Sequence, residues 1–180
     1  MTIRRWLTLL SSATLLAACA APVPADYARE TPTLDLQSYF NGDVVAHGLF
    51  TDRAGKVVKR FRVDLRCRWD GDDGTLDETF HYSDGTTQRR VWHVRRLADV
   101  DGERHYSGQA DDIVGSASGT AAGNALHWTY TLRLPVDGRD VEVQLDDWMF
   151  LVEPRVLLNR AVMSKFGLRL GEVMLSFQRP

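Results

Sequence analysis

The sequence is poor in cysteine, with only Cys19 and Cys67 among 180 residues. Cys19 lies in an N-terminal segment whose pattern, described below, predicts that its thiol is modified. Cys67 is then left without a partner, so an intramolecular disulfide is excluded even in an oxidising compartment. Cys67 alternates with apolar residues, which predicts a small side chain buried in the core, and a reactive thiol is the alternative.

A basic excess is also missing, since 22 lysines and arginines face 24 aspartates and glutamates, a formal net charge of −2. Removal of Arg4 and Arg5 with a cleaved leader makes this balance −4. Proteins that bind a phosphate backbone carry clustered lysine and arginine, so the composition argues against a nucleic-acid partner. The rest of the chain is long enough for one domain with its own hydrophobic core.

Motifs that mark common catalytic and cofactor sites are absent from the sequence. No Walker loop, dinucleotide fingerprint or H-E-x-x-H sequence occurs. Gly115–Gly119 has the outline of a nucleophile elbow, but Ala117 stands where serine is needed. Asp70–Gly74 faintly resembles a calcium loop without its later glycine and glutamate, so a hairpin turn is predicted there. We therefore assign no catalytic residue, no cofactor and no metal.

The five histidines lack the short spacings that are typical of metal ligands. They are predicted to be scattered on the surface or hydrogen-bonded, and a metal site assembled from several strands is the alternative.

A long hydrophobic run is found only near the N-terminus, at residues 6–18. It is shorter than the roughly 20 residues of a spanning helix and follows Arg4 and Arg5, as in a signal peptide. The run ends in Leu16-Ala17-Ala18-Cys19, which resembles a lipobox. We therefore expect residues 1–18 to be a lipoprotein signal peptide and Cys19 to be acylated, with a plain secretory signal as the alternative.

The residue after Cys19 is Ala20 rather than the aspartate that retains many such lipoproteins in the inner membrane. By resemblance to sorted lipoproteins of Gram-negative bacteria, we expect a lipid anchor in the inner leaflet of the outer membrane, with the domain in the periplasm. Residues 19–33 hold three of the six prolines and are expected to be a tether, unless their end docks on the domain.

Residues 34–180 have the pattern of consecutive β-hairpins. From Phe61 to Trp69 the odd positions are apolar or Cys67, and the even positions are charged. Strict alternation predicts a strand with one face in the core and one in water. Similar runs follow, separated by Asp-Gly pairs, which are a strong hairpin signal.

We expect an all-β domain, an antiparallel meander closed into a barrel, because closure protects the sheet edges best. A sandwich is the alternative. Glycines in the middle of the chain are expected at bulges or bends. Residues 154–165 could form a strand or one short helix; the strand is favoured, with a helical turn at Pro154.

The sequence resembles an uncharacterised family of bacterial lipoproteins named DUF3833. Four stretches carry the resemblance: Tyr39–Gly42, Asp111–Gly115, Asp146–Met149 and Asn159–Gly167. The similarity covers about residues 38–178. It implies a lipocalin-like fold and an envelope location, and it assigns no activity.

Asp147 is the first candidate for a functional polar group, because its strand places it on the same face as Val143 and Leu145. A carboxylate on an apolar face must be paired, hydrogen-bonded or open to a wet cavity. Arg160 and Lys165 are the candidate partners. A buried structural ion pair is the alternative to a polar anchor for a ligand.

Glu78, Asp111 and Asp112 could converge with Asp147 into a carboxylate cluster. For Asp111 and Asp112 the alternative is solvation in a turn, because they precede a predicted strand.

Four tryptophans in predicted strands could form the wall of a ligand cavity: Trp69, Trp92, Trp128 and Trp148. The alternative is that they fill the core. The preferred hypothesis is an envelope lipoprotein that binds a lipid or another apolar small molecule. The alternatives are an outer-membrane assembly or scaffold module with a filled barrel and an unidentified protein partner, and a lipid-modifying enzyme that uses Glu78, Asp112 and Asp147.

Overall fold

The computed structural model of the protein describes residues 21–136 and 138–180. The expected signal peptide and Cys19 lie outside the described residues. Among the residues described, no helix is long and apolar enough to cross a membrane. The described chain forms a sheet with these strands: β1 Gly42–Asp52, β2 Val57–Asp70, β3 Asp73–Tyr82, β4 Thr87–Arg96, β5 Arg104–Gln109, β6 Ile113–Ala122, β7 Ala125–Val136, β8 Arg139–Glu153, β9 Val156–Lys165 and β10 Leu168–Gln178.

The sheet is a closed antiparallel barrel in which each strand pairs with its neighbour in the sequence, and β1 pairs with β10. The predicted all-β barrel is confirmed, and the sandwich is excluded because the first and last strands complete one continuous sheet. Closure gives every strand a paired neighbour on both sides, although β4 and β5 are paired over only part of their length. The alternation in β2 is also confirmed, with Val63, Leu65 and Cys67 buried between the exposed Arg62, Arg66 and Arg68.

Residues 154–165 form a hairpin turn followed by β9, so the strand alternative was right and no helical turn is present there. Two short helices precede the barrel instead, a 3₁₀ helix at Pro24–Tyr27 and α1 at Leu36–Tyr39. Asp35 begins α1 because its carboxylate accepts a hydrogen bond from the backbone N–H of Ser38 at 2.8 Å.

The segment that was expected to be a tether is docked on the barrel from about residue 24. The ring of Tyr27 lies edge-on to Trp148 and Phe150, with ring centroids 5.8 Å and 5.2 Å away. The backbone N–H of Leu34 donates to the carbonyl of Gly123 at 2.9 Å. The described part of the segment therefore fits the alternative that its end docks on the domain, because it has its own apolar and backbone contacts.

One end of the barrel, called the closed end, is covered by α1. Leu36, Tyr39 and Phe40 are buried there, and the Tyr39 hydroxyl donates to the carbonyls of Phe177 at 3.1 Å and Arg155 at 3.2 Å. The opposite end, called the mouth, is formed by the turns at residues 53–56, 83–86, 110–112 and 166–167. The helix therefore closes the barrel on one side only.

Candidate functional site

The barrel encloses a cavity of about 600 Å³. It extends from Leu36 and Phe40 beneath α1 to Val58 and Pro135 near the mouth. Leu36 and Phe40 are buried, whereas Val58 and Pro135 are exposed, so the cavity reaches solvent only towards the mouth. Most of the lining side chains are apolar because inward positions on the strands alternate with outward polar ones.

Three of the four tryptophans proposed as cavity wall line the cavity: Trp69, Trp92 and Trp128. The indole N–H of Trp69 donates to the carbonyl of Phe40 at 2.9 Å, which links the wall to the closed end. Trp128 lies over Gly119, where a Cβ atom would stand only 2.7 Å from the ring. A glycine is required at that strand position because of this ring.

Trp148 was wrongly assigned to the wall, because it lies on the outside of the barrel. Its ring stacks on His127 at a centroid distance of 4.4 Å and on Phe150 at 5.8 Å. The reason is the alternation of β8: if Asp147 points inward, the next residue must point outward. The sequence already contained this signal.

Asp147 lies inside the barrel with 6% of its surface exposed, and it lines the cavity. Its carboxylate accepts hydrogen bonds from the side-chain amide of Asn159 and from the Tyr130 hydroxyl at 3.1 Å. Burial raises the pKa of Asp147 to about 6, although both hydrogen bonds act in the opposite direction. The sequence did not point to Asn159, an inward residue on β9.

The expected cationic partners of Asp147 are bound elsewhere. Arg160 pairs with Glu172 on the outer surface, with Nε 2.9 Å from the carboxylate. Lys165 donates to the backbone carbonyl of Glu142 at 2.8 Å. The pairing of Asp147 with Arg160 or Lys165 was therefore wrong, and for Arg160 the reason is again alternation, since its cross-strand neighbour on β8 is Trp148.

The cation inside the barrel is Arg90, which the sequence reasoning missed. It lines the cavity, and both Nε and Nη2 donate to one carboxylate oxygen of Asp112, at 3.0 Å and 2.6 Å. Arg90 has the same parity as Trp92 and Val94 on β4, and this signal could have identified it as inward-facing. Backbone pairing between β4 and β5 begins only at His93 and Gln109, so the ion pair bridges the space beyond the end of that ladder.

Glu78 lies directly across the β3–β4 ladder from Arg90 and also lines the cavity, with 9% of its surface exposed. Among the described residues, no side chain or backbone group makes a hydrogen bond or ion pair with its carboxylate. Burial raises the pKa of Glu78 to about 7; Arg90 opposes this shift, while Asp112 and Asp147 add to it.

The expected carboxylate cluster is therefore present in part. Glu78 interacts electrostatically with both Asp112 and Asp147, and Arg90 lies close to Glu78 and Asp112. Asp111 is exposed, as the alternative of a solvated turn predicted for it. We call the group formed by Glu78, Arg90, Asp112, Tyr130, Asp147 and Asn159 the polar cluster.

The structure also bears on two other candidate chemistries, a metal site and a reactive Cys67 thiol. Within residues 21–136 and 138–180, no group of three or more His, Cys, Asp or Glu side chains is arranged to hold a metal ion. Cys67 is buried, and burial, together with nearby carboxylates such as Glu78, raises the pKa of its thiol to about 12. A thiol with that pKa stays protonated and is a poor nucleophile at neutral pH.

A comparison with protein families decides the relationship that the sequence motifs indicated. A family model described as "Protein of unknown function (DUF3833)" matches residues 13–179. The chain belongs to the DUF3833 family. A comparison with curated proteins finds no match to the chain.

The DUF3833 barrel is similar in fold to a solved S-type phycobiliprotein lyase from Guillardia theta. The TM-score is 0.59, the sequence identity is 6%, and the similarity covers 89% of this chain and 98% of the lyase chain. At this identity the similarity establishes a shared lipocalin-like architecture and does not extend to residues or activity.

Proposed function

We propose that this DUF3833 protein is an envelope lipoprotein that binds a lipid or another apolar small molecule inside its barrel. The observation that carries the proposal is the cavity of about 600 Å³, which is closed by α1 at one end and open at the mouth. Small-molecule sites are typically concave, mostly apolar and roughly 300–1,000 Å³ in volume, with a few polar groups that orient the ligand. The polar cluster supplies such groups.

The aromatic wall favours an apolar occupant. The ring of Trp92 contacts those of Trp128 and Tyr130, at centroid distances of 6.5 Å and 5.6 Å, and all three side chains line the cavity. Binding of an apolar molecule removes that surface and the surface of the molecule from water, which is favourable in proportion to the area.

The envelope location is supported by the lipobox-like Leu16–Cys19 of the sequence. The five residue-to-residue steps from Cys19 to Pro24 can span at most about 18 Å. The 3₁₀ helix that follows contacts β6 and β7, and the backbone of Leu34 then reaches Gly123 at the closed end. In the proposed arrangement, the anchor therefore joins the barrel near its closed end, and the mouth faces away from the membrane that holds it.

The cavity also separates this proposal from the alternative of a scaffold with a filled barrel, since the barrel interior is not filled. Of the three carboxyl groups that a lipid-modifying enzyme would use, two already have partners in the protein. Asp112 is paired with Arg90, and Asp147 is held by Tyr130 and Asn159.

The proposal is tested by mass spectrometry of molecules extracted with organic solvent from the purified protein, after expression of the full chain. An Ala161→Phe variant places a ring in the cavity, because Ala161 lines it across the ladder from Asp147. Val162→Phe is the matched control, since the neighbouring residue points outward. Circular dichroism checks that both variants fold.

We expect a discrete apolar molecule from the wild type and from Val162→Phe, and at most a small amount from Ala161→Phe. Equal amounts from all three proteins would show that the extracted molecule is bound outside the barrel. A wild-type protein that remains empty after incubation with envelope lipids would also contradict the proposal.

A further inference from the structure

The polar cluster contains more hydrogen-bond acceptors and negative charge than the surrounding protein satisfies. It holds three carboxyl groups and one guanidinium, and that guanidinium donates to Asp112. The Tyr130 hydroxyl and the Asn159 amide are both used by Asp147. None of the donors in the described residues makes a hydrogen bond to Glu78, although Arg90 lies directly across the ladder from it.

Glu78 is the informative member because it is nine-tenths buried, faces the cavity and has no partner among the residues described. Buried polar groups in native proteins are nearly always satisfied, so an orphaned group in a cavity indicates a partner that arrives with the ligand.

We propose that the cavity selects an apolar molecule that carries a cationic amine, which binds between the carboxylates of Glu78 and Asp147. This inference rests on the proposed function and deepens it by naming the chemical class of the ligand's polar group. The amine supplies the donors that Glu78 lacks and balances the excess negative charge. An apolar tail then extends towards the mouth past Phe61, Phe80 and Leu134, which line the cavity on that side of Glu78.

A carboxylate or phosphate group is disfavoured at the same place. Arg90 would be its obvious partner, but Asp112 already neutralises that charge, and an added anion would face Glu78 and Asp147 in a poorly solvated space. Lys59 also lines the cavity, but it lies near the mouth and pairs with Asp84 at 3.7 Å. The charge distribution in the cavity therefore favours a ligand with an amine over a fatty acid.

Binding of the amine should depend on pH through the carboxyl groups. The titratable and charged groups that face Glu78 from the neighbouring elements are Cys67, Arg90, Asp112, Tyr130 and Asp147. Burial raises the pKa of Glu78 to about 7 and that of Asp147 to about 6, so both carboxyls lose charge as the pH falls to 5. An alkylamine, like a lysine side chain, stays protonated throughout this range.

The test measures displacement of the neutral fluorescent probe N-phenyl-1-naphthylamine from the purified protein by three molecules with the same tail: dodecylamine, dodecanol and dodecanoate. At pH 8 we expect dodecylamine to bind at least about tenfold more tightly than the other two, which corresponds to one ion pair. This preference should disappear in Glu78→Gln, which keeps the shape of the side chain, and should weaken at pH 5.

Asp77→Asn is the matched control, because Asp77 is the outward neighbour of Glu78 and pairs with Arg89 at 2.7 Å. It should keep the wild-type preference for the amine. Equal binding of the three molecules, a preference for dodecanoate, or a preference unchanged in Glu78→Gln would overturn the inference and leave the apolar site intact. Failure of the probe and of all three molecules to bind would overturn both the inference and the proposed function.

Discussion

The closed end and the middle of the barrel are built from the same strands with the same alternation, yet only the closed end is filled. At the closed end, Leu34, Leu157 and Tyr39, the last residue of α1, have at most 2% of their surface exposed. Further towards the mouth, Phe61, Tyr130 and Leu134 also point inward, but they remain partly exposed to the cavity. Inward direction therefore does not by itself mean that a residue is packed on all sides.

Inward-facing residues serve stability at the closed end and leave space for another molecule around the cavity. Closed-end residues contribute burial and hence stability. Residues around the cavity give up some of that contribution, because space is left for another molecule, and Glu78 even adds an unfavourable buried charge. Residues at functional sites are commonly arranged at the expense of stability.

The largest effect should come from Leu157→Ala at the closed end. Loss of a fully buried leucine leaves a cavity and should decrease the free energy of unfolding by about 3–4 kcal/mol. Leu134→Ala, next to the existing cavity, should cost roughly 1 kcal/mol, since the leucine is only partly packed. Urea denaturation followed by circular dichroism measures both values. Equal decreases in the free energy of unfolding would show that the closed end and the cavity region are packed equally well.

Glu78→Gln should stabilise the protein at pH 8. Because the folded-state pKa of about 7 lies above the ordinary glutamate value of 4.5, the native state binds more protons than the unfolded state between these values, and stability falls as the pH rises. At about 1.4 kcal/mol per pKa unit, the penalty above pH 7 is roughly 3 kcal/mol.

Denaturation curves of the wild type and Glu78→Gln at pH 8 and pH 5 check the direction of this effect. The increase in the free energy of unfolding of the variant should be near its full value at pH 8 and small at pH 5. For Asp77→Asn no such gain is expected, because Arg89 lowers the pKa of Asp77 and keeps its titration below this range. A Glu78→Gln protein that is destabilised at pH 8 would show that the carboxylate has a favourable partner.

Gly119→Ala should reduce stability by about 2 kcal/mol, because the added methyl group would stand 2.7 Å from the ring of Trp128. The ring would have to move into the cavity, so binding of the fluorescent probe should weaken as well. Thermal unfolding and probe titration measure the two effects. A variant with unchanged stability and unchanged probe binding would mean that the tryptophan has free room to shift.

The smallest effect is expected for Trp148→Ala on the outer surface. Loss of its contacts with His127, Phe150 and Tyr27 should cost about 1 kcal/mol. Binding of the probe should not change, since the ring lies outside the barrel. Probe titration against the wild type decides this, and loss of binding with an intact fold would restore Trp148 to the wall.

Most of the fold could be predicted from the sequence, because hairpin turns and strand alternation are local signals. The regular run from Phe61 to Trp69 fixed the inward face of β2, and the same period placed Asp147 inside. Trp148 was wrongly placed inside because the alternation was not applied to the residue after Asp147. Arg160 was wrongly placed inside because the alternation was not applied to the next strand. Arg90 was missed for the same reason. These three assignments were within reach of the sequence.

Other features depend on which residues meet across the barrel, and a local period carries no such information. The sequence by itself determined the order of the strands, the turns between them and the inward or outward direction of most side chains. Only the tertiary structure decided that Arg90 reaches Asp112, that Glu78 has no partner among the described residues and that α1 closes one end. The physical reason is that strand tilt, register and closure set these distances.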